Sequence, residues 1–307
     1  MKVLLLIGGR VSKSKIAIFG LGKKAFDVLC SVRAQHVKHI ELVVIGRDSA
    51  VANDYSWEII RFCQTNNIDF IERHDATNYL SKFTGYKIAI GWRWIINDVN
   101  ELIVFHDSLL PQYRGFAPVV NSLINGETKL GATAVFASHE YDKGEVITQK
   151  SVYIEYPIKI EKAIDIVSRL YTELFDEVLE QITEGHRLIS HSQDEHRATY
   201  SLWRDSQDYF IDWDRSANEI KRFIDAVGYP YSGALSNFED QVIGINDAEV
   251  LDDVLIYDRK NAIGKVIFIK DGFPVVVCGY GLLKIVSAND RNGKTIIPLK
   301  KFRSRFY

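Results

Sequence analysis

Apolar residues in the first half of the chain fall into two alternating patterns. Short, β-branched runs predict buried strands, and they lie at residues 2–7, 15–19, 41–45, 69–72, 87–90 and 102–105. Longer runs with helical periodicity predict amphipathic helices, at residues 25–33, 55–66, 116–125 and 160–183. Because strands alternate with helices, the pattern predicts an α/β fold with a doubly wound, mostly parallel sheet.

The pattern changes after the helix predicted to end near residue 183. Residues 186–197 are polar and lack periodicity, as is typical of a linker. Short apolar runs then follow at residues 242–245, 265–269, 273–278 and 282–286, with turn signals such as Asp271-Gly272 between them. This spacing predicts a small antiparallel β-barrel. We therefore expect an α/β domain over residues 1–190, a linker over 191–205 and a barrel domain over 206–307.

Composition narrows the class of protein only a little. The 307 residues are 47% hydrophobic and carry a net charge of −2, so no general attraction to nucleic acid or anionic lipid is implied. The apolar run at residues 2–7 is too short to span a membrane and lacks a signal-peptide cleavage site. The three cysteines form no CxxC pair, and the histidines show no metal-ligand spacing. We expect a cytoplasmic protein without a metal site.

Two blocks of sequence place candidate chemistry at strand ends. The first, V-F-H-D-S-L-L-P-Q-Y-R-G over residues 104–115, brings His106 to the end of a predicted strand. The second, over residues 131–144, follows another strand with a loop that carries Asp142 before Gly144. In open α/β sheets, ligands bind at the carboxyl ends of the strands. An imidazole and a carboxylate that meet there can handle protons.

The two blocks resemble the signature of the 10-formyltetrahydrofolate-dependent formyltransferases, N-x-H-x-S-L-L-P-x-x-R-G followed by G-x-T and D-x-G. Both residue type and spacing agree at His106, Ser108, Leu109, Leu110, Pro111, Arg114, Gly115, Gly131, Thr133, Asp142 and Gly144. A weaker resemblance continues over residues 198–234. The family likeness thus covers nearly the whole chain, and it implies a Rossmann-like catalytic domain followed by an OB-like barrel.

The resemblance implies transfer of a formyl group from 10-formyltetrahydrofolate to an amine. It assigns catalytic roles to His106 and Asp142 and substrate binding to Ser108, Arg114 and Gly115. It also places the pterin ring of the donor between two loops, which contribute Arg93, Trp94, Ile95 and Glu140.

One position departs from the family signature. Where the family has a catalytic Asn, this chain has Val104, which cannot donate a hydrogen bond to the formyl oxygen. Either a protonated His106 or a bound water supplies that donor, or the site is degenerate and only binds. The intact motif around Val104 favours an active enzyme.

Two classes of acceptor fit the family resemblance, methionyl-tRNA and a nucleotide-linked amino sugar. Residues 200–307 carry 15 Lys plus Arg and 15 Asp plus Glu, and only residues 300–305 are locally basic. Residues 46–57, where the methionyl-tRNA enzymes carry a basic insertion, are short and not basic. Because a tRNA-binding protein is expected to show a basic face, we expect a small-molecule amino-sugar acceptor and no nucleic-acid or membrane partner. Methionyl-tRNA is the alternative, and a homodimer formed through the barrel stays open.

A different enzyme class is suggested by residues 16–25, I-A-I-F-G-L-G-K-K-A. They combine a strand, a G-x-G-x-x-A turn and a helix, and Asp48 closes the next strand. This is the pattern of a dinucleotide fingerprint, so an NAD(P)-binding oxidoreductase is a second alternative. It leaves the His106 and Asp142 blocks unexplained, and we favour a plain strand-to-helix turn.

Overall fold

A computed structural model describes residues 15–76 and 83–307. The strand predicted at residues 2–7 lies outside these ranges. The strands of the first unit are β1 (Ile16–Gly20), β2 (Ile40–Ile45), β3 (Asp69–Glu72), β4 (Tyr86–Ile90), β5 (Leu102–His106), β6 (Arg114–Gly115), β7 (Lys129–Phe136) and β8 (Val146–Tyr153). Its helices are α1 (Gly22–Ser31), α2 (Ala34–Val37), α3 (Ser56–Asn66), α4 (Pro118–Asn125) and α5 (Ile160–Thr183). A 3₁₀ turn covers Arg73–Asp75.

Seven of these strands form one mixed sheet in the order β3-β2-β1-β4-β5-β7-β8. The five strands from β3 to β5 are parallel, and β7 and β8 join antiparallel at the edge. The predicted doubly wound, mostly parallel sheet is thereby confirmed. Since the strand order reverses between β1 and β4, a crevice opens at their carboxyl ends, where α/β proteins bind ligands.

The two faces of the sheet are packed differently, and β5 shows the alternation. Phe105 meets the rings of Tyr171 and Phe175 on α5, at centroid distances of 5.4 and 6.3 Å. Val104 packs on the other face, in a cluster with Trp92 and other apolar groups. The apolar positions of α5 recur every three or four residues, so one whole side of this long helix is buried against the sheet. Successive residues of β5 thus point to opposite faces of the sheet, one toward α5 and the next toward the cluster that contains Trp92.

The second unit is a five-stranded antiparallel sheet with one main helix. Its elements are α6 (Ala217–Val227), β10 (Ala234–Phe238), β11 (Gln241–Leu251), α7 (Arg259–Ala262), β12 (Val266–Lys270), β13 (Phe273–Val277) and β14 (Leu282–Asn289). The strand order is β10-β11-β14-β13-β12. Near the end of the chain, Phe306 bridges to Phe238 on β10 and Arg305 bridges to Lys265 beside β12. These bridges link the two edges of the sheet, in agreement with the predicted barrel-like unit.

The segment predicted as a linker lies against the first unit. It contains the 3₁₀ turn Glu195–Arg197 and the two-residue strand β9 (Tyr200–Ser201), which pairs in parallel with β6; a further 3₁₀ turn, Gln207–Tyr209, follows. At its start, His191 forms a bridge with Val146 of β8. Residues 191–201 are therefore part of the packed structure around the strand ends, while the exact domain limits stay a prediction.

Within residues 15–76 and 83–307, no helix is both long and apolar enough to span a membrane. Cys30 is exposed, Cys63 and Cys278 are buried, and all three are free thiols.

Candidate active site

His106 is the last residue of β5 and lies at the carboxyl edge of the sheet, opposite Thr133 on β7. Its Nε2 atom is 2.8 Å from the carbonyl oxygen of Tyr113, and its Nδ1 atom is 3.7 Å from Oδ1 of Asp142. A carbonyl oxygen only accepts hydrogen bonds, so Nε2 must carry the hydrogen. The other ring nitrogen, Nδ1, faces the Asp142 carboxylate.

Asp142 stands in the turn between β7 and β8. Its backbone is left-handed (φ 54°), and its Oδ2 atom accepts a 2.8 Å hydrogen bond from the backbone N–H of Gly115. Gly144 allows the turn to close, because a Cβ atom there would lie 1.7 Å from the carbonyl oxygen of Phe136. The spacing of Asp142 and Gly144 therefore has a steric origin. The structure brings the two predicted catalytic side chains together, one from the end of β5 and one from the turn between β7 and β8.

Ser108 and Gly115, both predicted to bind substrate, shape the turn between β5 and β6. The hydroxyl of Ser108 donates a 2.5 Å hydrogen bond to the carbonyl oxygen of Gln112 and is thus engaged inside the turn. Gly115 has a φ of 101°, and a Cβ atom there would lie 2.5 Å from the carbonyl oxygen of Ser201. Only glycine fits this approach, and its N–H is the donor that holds Asp142. Substrate contact through these two residues stays a prediction.

Arg114, which was also predicted to bind substrate, is paired with other residues of the protein. The residue is 0% exposed. Its terminal nitrogens lie 2.6 and 2.8 Å from the two carboxylate oxygens of Glu195, and its NH2 donates to Oε1 of Gln193 at 2.8 Å. The hydrogen bonds with Glu195 raise the pKa of the Arg114 guanidinium above its ordinary value. This cation joins the turn to Gln193 and Glu195, and substrate contact through Arg114 stays a prediction.

Gln193 is a residue of the site that the sequence did not single out. Its Oε1 accepts from Arg114, and its Nε2 donates to the carbonyl oxygens of Asp142 and Gly144, at 2.7 and 2.8 Å. One side chain thus joins the R-G turn to the Asp142 turn. Its position in a polar, aperiodic segment carried no signal, because only the folded chain brings residue 193 to these carbonyls.

The loop after β4 places two tryptophans beside the Val104 face of the sheet. The rings of Trp92 and Trp94 are 4.9 Å apart and nearly perpendicular. Arg93 lies over Trp94 at 5.1 Å and pairs with Asp48 at 2.7 Å. The indole N–H of Trp92 is buried and has no acceptor among the described residues. The loop therefore contains an unsatisfied donor, as expected where a polar ligand binds.

Two further residues were expected to contact the donor. Ile95, in the same loop, is 71% exposed. Glu140 lies on the exposed turn before Asp142, where its carboxylate is 2.5 Å from the ammonium of Lys143. Ala137, at the start of that turn, packs in the same cluster as Trp92 and Val104. The two loops thus share one face of the sheet, and binding of the pterin between them stays a prediction.

Asp107 follows His106 but points to the opposite face. Its partly buried carboxylate contacts the ammonium of Lys24 and accepts a hydrogen bond from the hydroxyl of Tyr171, whose oxygen also lies 2.7 Å from the carbonyl oxygen of Phe105. Burial favours the neutral acid, yet the Lys24 charge and these hydrogen bonds outweigh it and lower the pKa of Asp107 below its ordinary value. Because Val104 packs on the other face, Asp107 does not replace the missing Asn amide.

A pocket of about 220 Å³ lies at the crevice between β1 and β4. Its apolar walls include three tyrosines from separate parts of the chain, Tyr55, Tyr229 and Tyr231. Its polar lining includes Lys24, which contacts Asp107, the chain neighbour of His106. The pocket and the His106–Asp142 pair therefore lie on either side of the end of β5.

The turn that suggested a dinucleotide fingerprint joins β1 to α1 at this pocket. Gly20 packs closely on the helix, since a Cβ atom there would lie 3.2 Å from the Cβ of Ala25. The carboxylate of Asp48, the acidic residue of the pattern, is engaged by Arg93. The structure thus shows the close strand-to-helix packing that the plain turn requires.

Two protein-family models match this chain, one over each of its two units. Residues 83–177 match the model of a family described as formyl transferase, and residues 204–305 match that of the formyl transferase C-terminal domain. A methionyl-tRNA formyltransferase of Caldanaerobacter subterraneus is 29% identical over 189 residues, which are 62% of this chain and 59% of that protein. The chain thus aligns with less than two thirds of the length of this relative.

Solved structures give the same fold. WlaRD, a sugar 3N-formyltransferase crystallised with dTDP and 5-N-formyl-THF, superposes with a TM-score of 0.69 at 18% identity, over 91% of this chain and 98% of that one. An N-formyltransferase of Helicobacter canadensis, in complex with folinic acid and dTDP-3-aminofucose, gives 0.63 at 16% identity, over 88% and 98%. With both family models matched in order along the chain and the His106–Asp142 pair in place, this protein belongs to the formyl transferase family.

Proposed function

We propose that this chain transfers the formyl group of 10-formyltetrahydrofolate to the amine of a nucleotide-linked amino sugar. The observation that carries the proposal is the His106–Asp142 pair, which lies at the carboxyl edge of the sheet with 3.7 Å between Nδ1 and Oδ1. This distance is longer than a hydrogen bond, so the imidazole and the carboxylate face each other without being hydrogen-bonded. They can therefore accept a proton from a third group.

The residues around the predicted donor pocket fit a reduced folate. Trp92 offers a buried N–H without an acceptor among the described residues, and a pterin ring carries carbonyl and ring-nitrogen acceptors. Trp94 and Ile95 offer apolar surface, and Arg93 and Glu140 offer charged groups at the rim. Bound there, the folate would supply the formyl group on N10 and the leaving amine.

The chemistry needs a neutral attacking amine, a stabilised oxyanion and a proton for the leaving nitrogen. The amine of the acceptor attacks the formyl carbon and forms a tetrahedral intermediate. The new C–N bond leaves a proton on the amine, which Nδ1 of His106 takes while Asp142 stabilises the imidazolium. The imidazolium then returns the proton to N10 of the folate as the C–N10 bond breaks, so atoms and charge balance.

Val104 leaves the oxyanion without the amide of the family signature. The imidazolium formed at His106 carries a positive charge next to the reacting carbon, and it can stabilise the oxyanion in place of the amide. Asp142 is held by the Gly115 N–H and is thus fixed before the substrate arrives. This arrangement supports an active enzyme rather than a degenerate site.

The pocket at β1 and β4 supports a small acceptor. Its volume of about 220 Å³ and its tyrosines suit a sugar, because aromatic faces pack on sugar rings. The balanced charge of residues 200–307 argues against a tRNA surface. Methionyl-tRNA is kept as the second candidate, because relatives aligned with this chain are named methionyl-tRNA formyltransferases.

A direct assay tests the proposal. The protein is incubated with 10-formyltetrahydrofolate and a panel of dTDP-, UDP- and GDP-linked amino sugars, and products are followed by mass spectrometry. We expect the mass gain of one formyl group on one member of the panel. Formylation of methionyl-tRNA together with no reaction on the panel would replace the amino-sugar acceptor with the tRNA. Stabilisation by NAD but not by folate would instead revive the oxidoreductase alternative.

A further inference from the structure

The Lys24–Asp107–Tyr171 cluster joins the acceptor pocket to the strand that carries His106. Lys24 projects from the first turn of α1, Asp107 follows β5, and Tyr171 lies on α5. The side chains of Lys24 and Asp107 are only 18% and 17% exposed. Even a partly buried ion pair of this kind costs desolvation energy, so a packed apolar pair would serve stability about equally well. This invites the question of what the charge does.

The Lys24 ammonium has donors left for a ligand. An ammonium carries three hydrogens, and among the described residues Asp107 is its one carboxylate partner. The ring of Tyr171 lies 5.5 Å from Nζ and adds a cation–π contact without using a hydrogen. Lys24 is also part of the pocket wall. By contrast, its neighbour Lys23 is shared between two carboxylates, Asp27 and Asp165.

The surroundings of Lys24 suit an anionic oxygen. Helix α1 begins without a side-chain cap and has no acidic residue in its first turn, so its positive end is unopposed within the helix. Three of the pocket carboxylates are already engaged, Asp48 by Arg93, Asp54 by backbone N–H groups and Asp165 by Lys23. An ammonium beside an open helix end is a suitable partner for a phosphate oxygen.

We propose that Lys24 binds a phosphate oxygen of the acceptor and helps to determine acceptor specificity, and that Asp107 is a positioning residue. Asp107 holds the ammonium at the pocket and, with Tyr171, fixes the end of β5 from the face opposite His106. The cluster thereby sets the position of the bound acceptor relative to the His106 imidazole. This inference rests on the proposed amino-sugar function, which it deepens.

Variants of the pair separate ligand binding from stability. Lys24→Met leaves Asp107 buried without its partner, so both stability and acceptor binding should suffer. In the double variant Lys24→Met/Asp107→Leu the whole pair becomes apolar, and stability should recover. We expect the acceptor KM to stay raised in the double variant by about tenfold to a hundredfold, as for a lost charge-assisted hydrogen bond. The KM for 10-formyltetrahydrofolate should stay within about twofold of wild type.

Lys87→Met is the matched control. Lys87 is a buried lysine on β4, 2.6 Å from Asp98, near the opposite end of the sheet. Its loss should lower the melting temperature and leave both KM values unchanged. Titration of dTDP, UDP and GDP alone, by calorimetry, distinguishes phosphate from sugar contacts. The nucleotide that binds wild type should bind the double variant at least about tenfold more weakly.

Each other outcome has a defined meaning. An acceptor KM of wild-type size in the stably folded double variant overturns the inference, as does an equal rise in both KM values. Unchanged nucleotide binding together with a raised acceptor KM would also overturn the proposed phosphate contact, because it would indicate that the Lys24 ammonium contacts the sugar instead. If wild type transfers no formyl group to any amino sugar, the proposed function fails and this inference fails with it.

Discussion

At the scale of single residues, the site depends on which way each side chain of β5 points. His106 and Val104 lie on one face and Phe105 and Asp107 on the other, so neighbours in sequence have different tasks. The resemblance to the family signature was sufficient to pair His106 with Asp142. It could not show that Arg114 is enclosed or that Ser108 is engaged in its own turn, because a motif carries residue types and not their partners.

We expect His106→Ala and Asp142→Ala each to lower kcat/KM for formyl transfer by about a hundredfold to ten-thousandfold, the usual range for a proton-transfer group. Both variants should keep the circular dichroism spectrum and the melting behaviour of wild type within a few degrees. Turnover close to wild type in either variant would remove the proposed mechanism.

Val104→Asn restores the amide of the family signature. If the His106 imidazolium already stabilises the oxyanion, the rate should change by no more than about threefold, whereas a missing oxyanion donor costs about a hundredfold to a thousandfold. Stability should fall, since Val104 packs among apolar groups and an amide there loses solvation. Steady-state kinetics and thermal unfolding are measured on the same preparation. A gain near a hundredfold would show that the natural site is impaired.

The lowered pKa of Asp107 predicts how its contribution to stability depends on pH. A carboxyl whose pKa is lower in the folded than in the unfolded protein stabilises the fold above the unfolded value, and this stabilisation is lost as pH falls through the folded value. The difference in unfolding free energy between wild type and Asp107→Asn should therefore be constant near neutrality and shrink below about pH 4. Urea titrations from pH 7 to pH 3 measure it. A difference that grows in acid would contradict the assigned sign.

At the scale of elements, the sequence pattern predicted helices and strands better than it predicted the segments that connect them. The helix at residues 160–183 was predicted with its observed bounds, because a long periodic stretch ending before Gly185 has strong start and stop signals. Within residues 15–76 and 83–307, each predicted strand run overlaps an observed strand. The polar stretch after residue 185 was the weak point: it has no periodicity, and its structure comes from hydrogen bonds to distant carbonyls.

Gln193→Glu tests the support that this segment gives to the Asp142 turn. The carboxylate can still accept from Arg114, but it faces the carbonyl oxygens of Asp142 and Gly144 without a hydrogen to donate. The turn should shift, and kcat should fall by about tenfold to a hundredfold, as expected for a small displacement of a catalytic group. Gln241→Glu, on the exposed start of β11, is the control and should be neutral. Equal kinetics in the two variants would refute the supporting role.

At the scale of the whole molecule, the distribution of charge favours a small acceptor over a tRNA. The net charge is −2, and residues 200–307 are balanced in Lys plus Arg against Asp plus Glu. We expect binding of initiator methionyl-tRNA to be weak at 50 mM salt and nearly independent of salt, because few phosphates would be neutralised. Filter binding at several salt concentrations, with a methionyl-tRNA formyltransferase as positive control, measures the slope. A steep fall of affinity with salt, together with formylation of the tRNA, would overturn the amino-sugar proposal.

The stretch that holds the Asp142 turn has a consequence for recombination between relatives. The two family matches end at residue 177 and resume at residue 204, and Gln193 and Glu195 lie in the gap between them. A chimera that takes its first unit from one homologue and its second from another must therefore choose which parent supplies this gap. Crossovers placed after β9 would take the Asp142 turn and Gln193 from one parent, whereas crossovers near residue 180 would take the Asp142 carboxylate, proposed here to be catalytic, and the side chain that holds its turn from different parents.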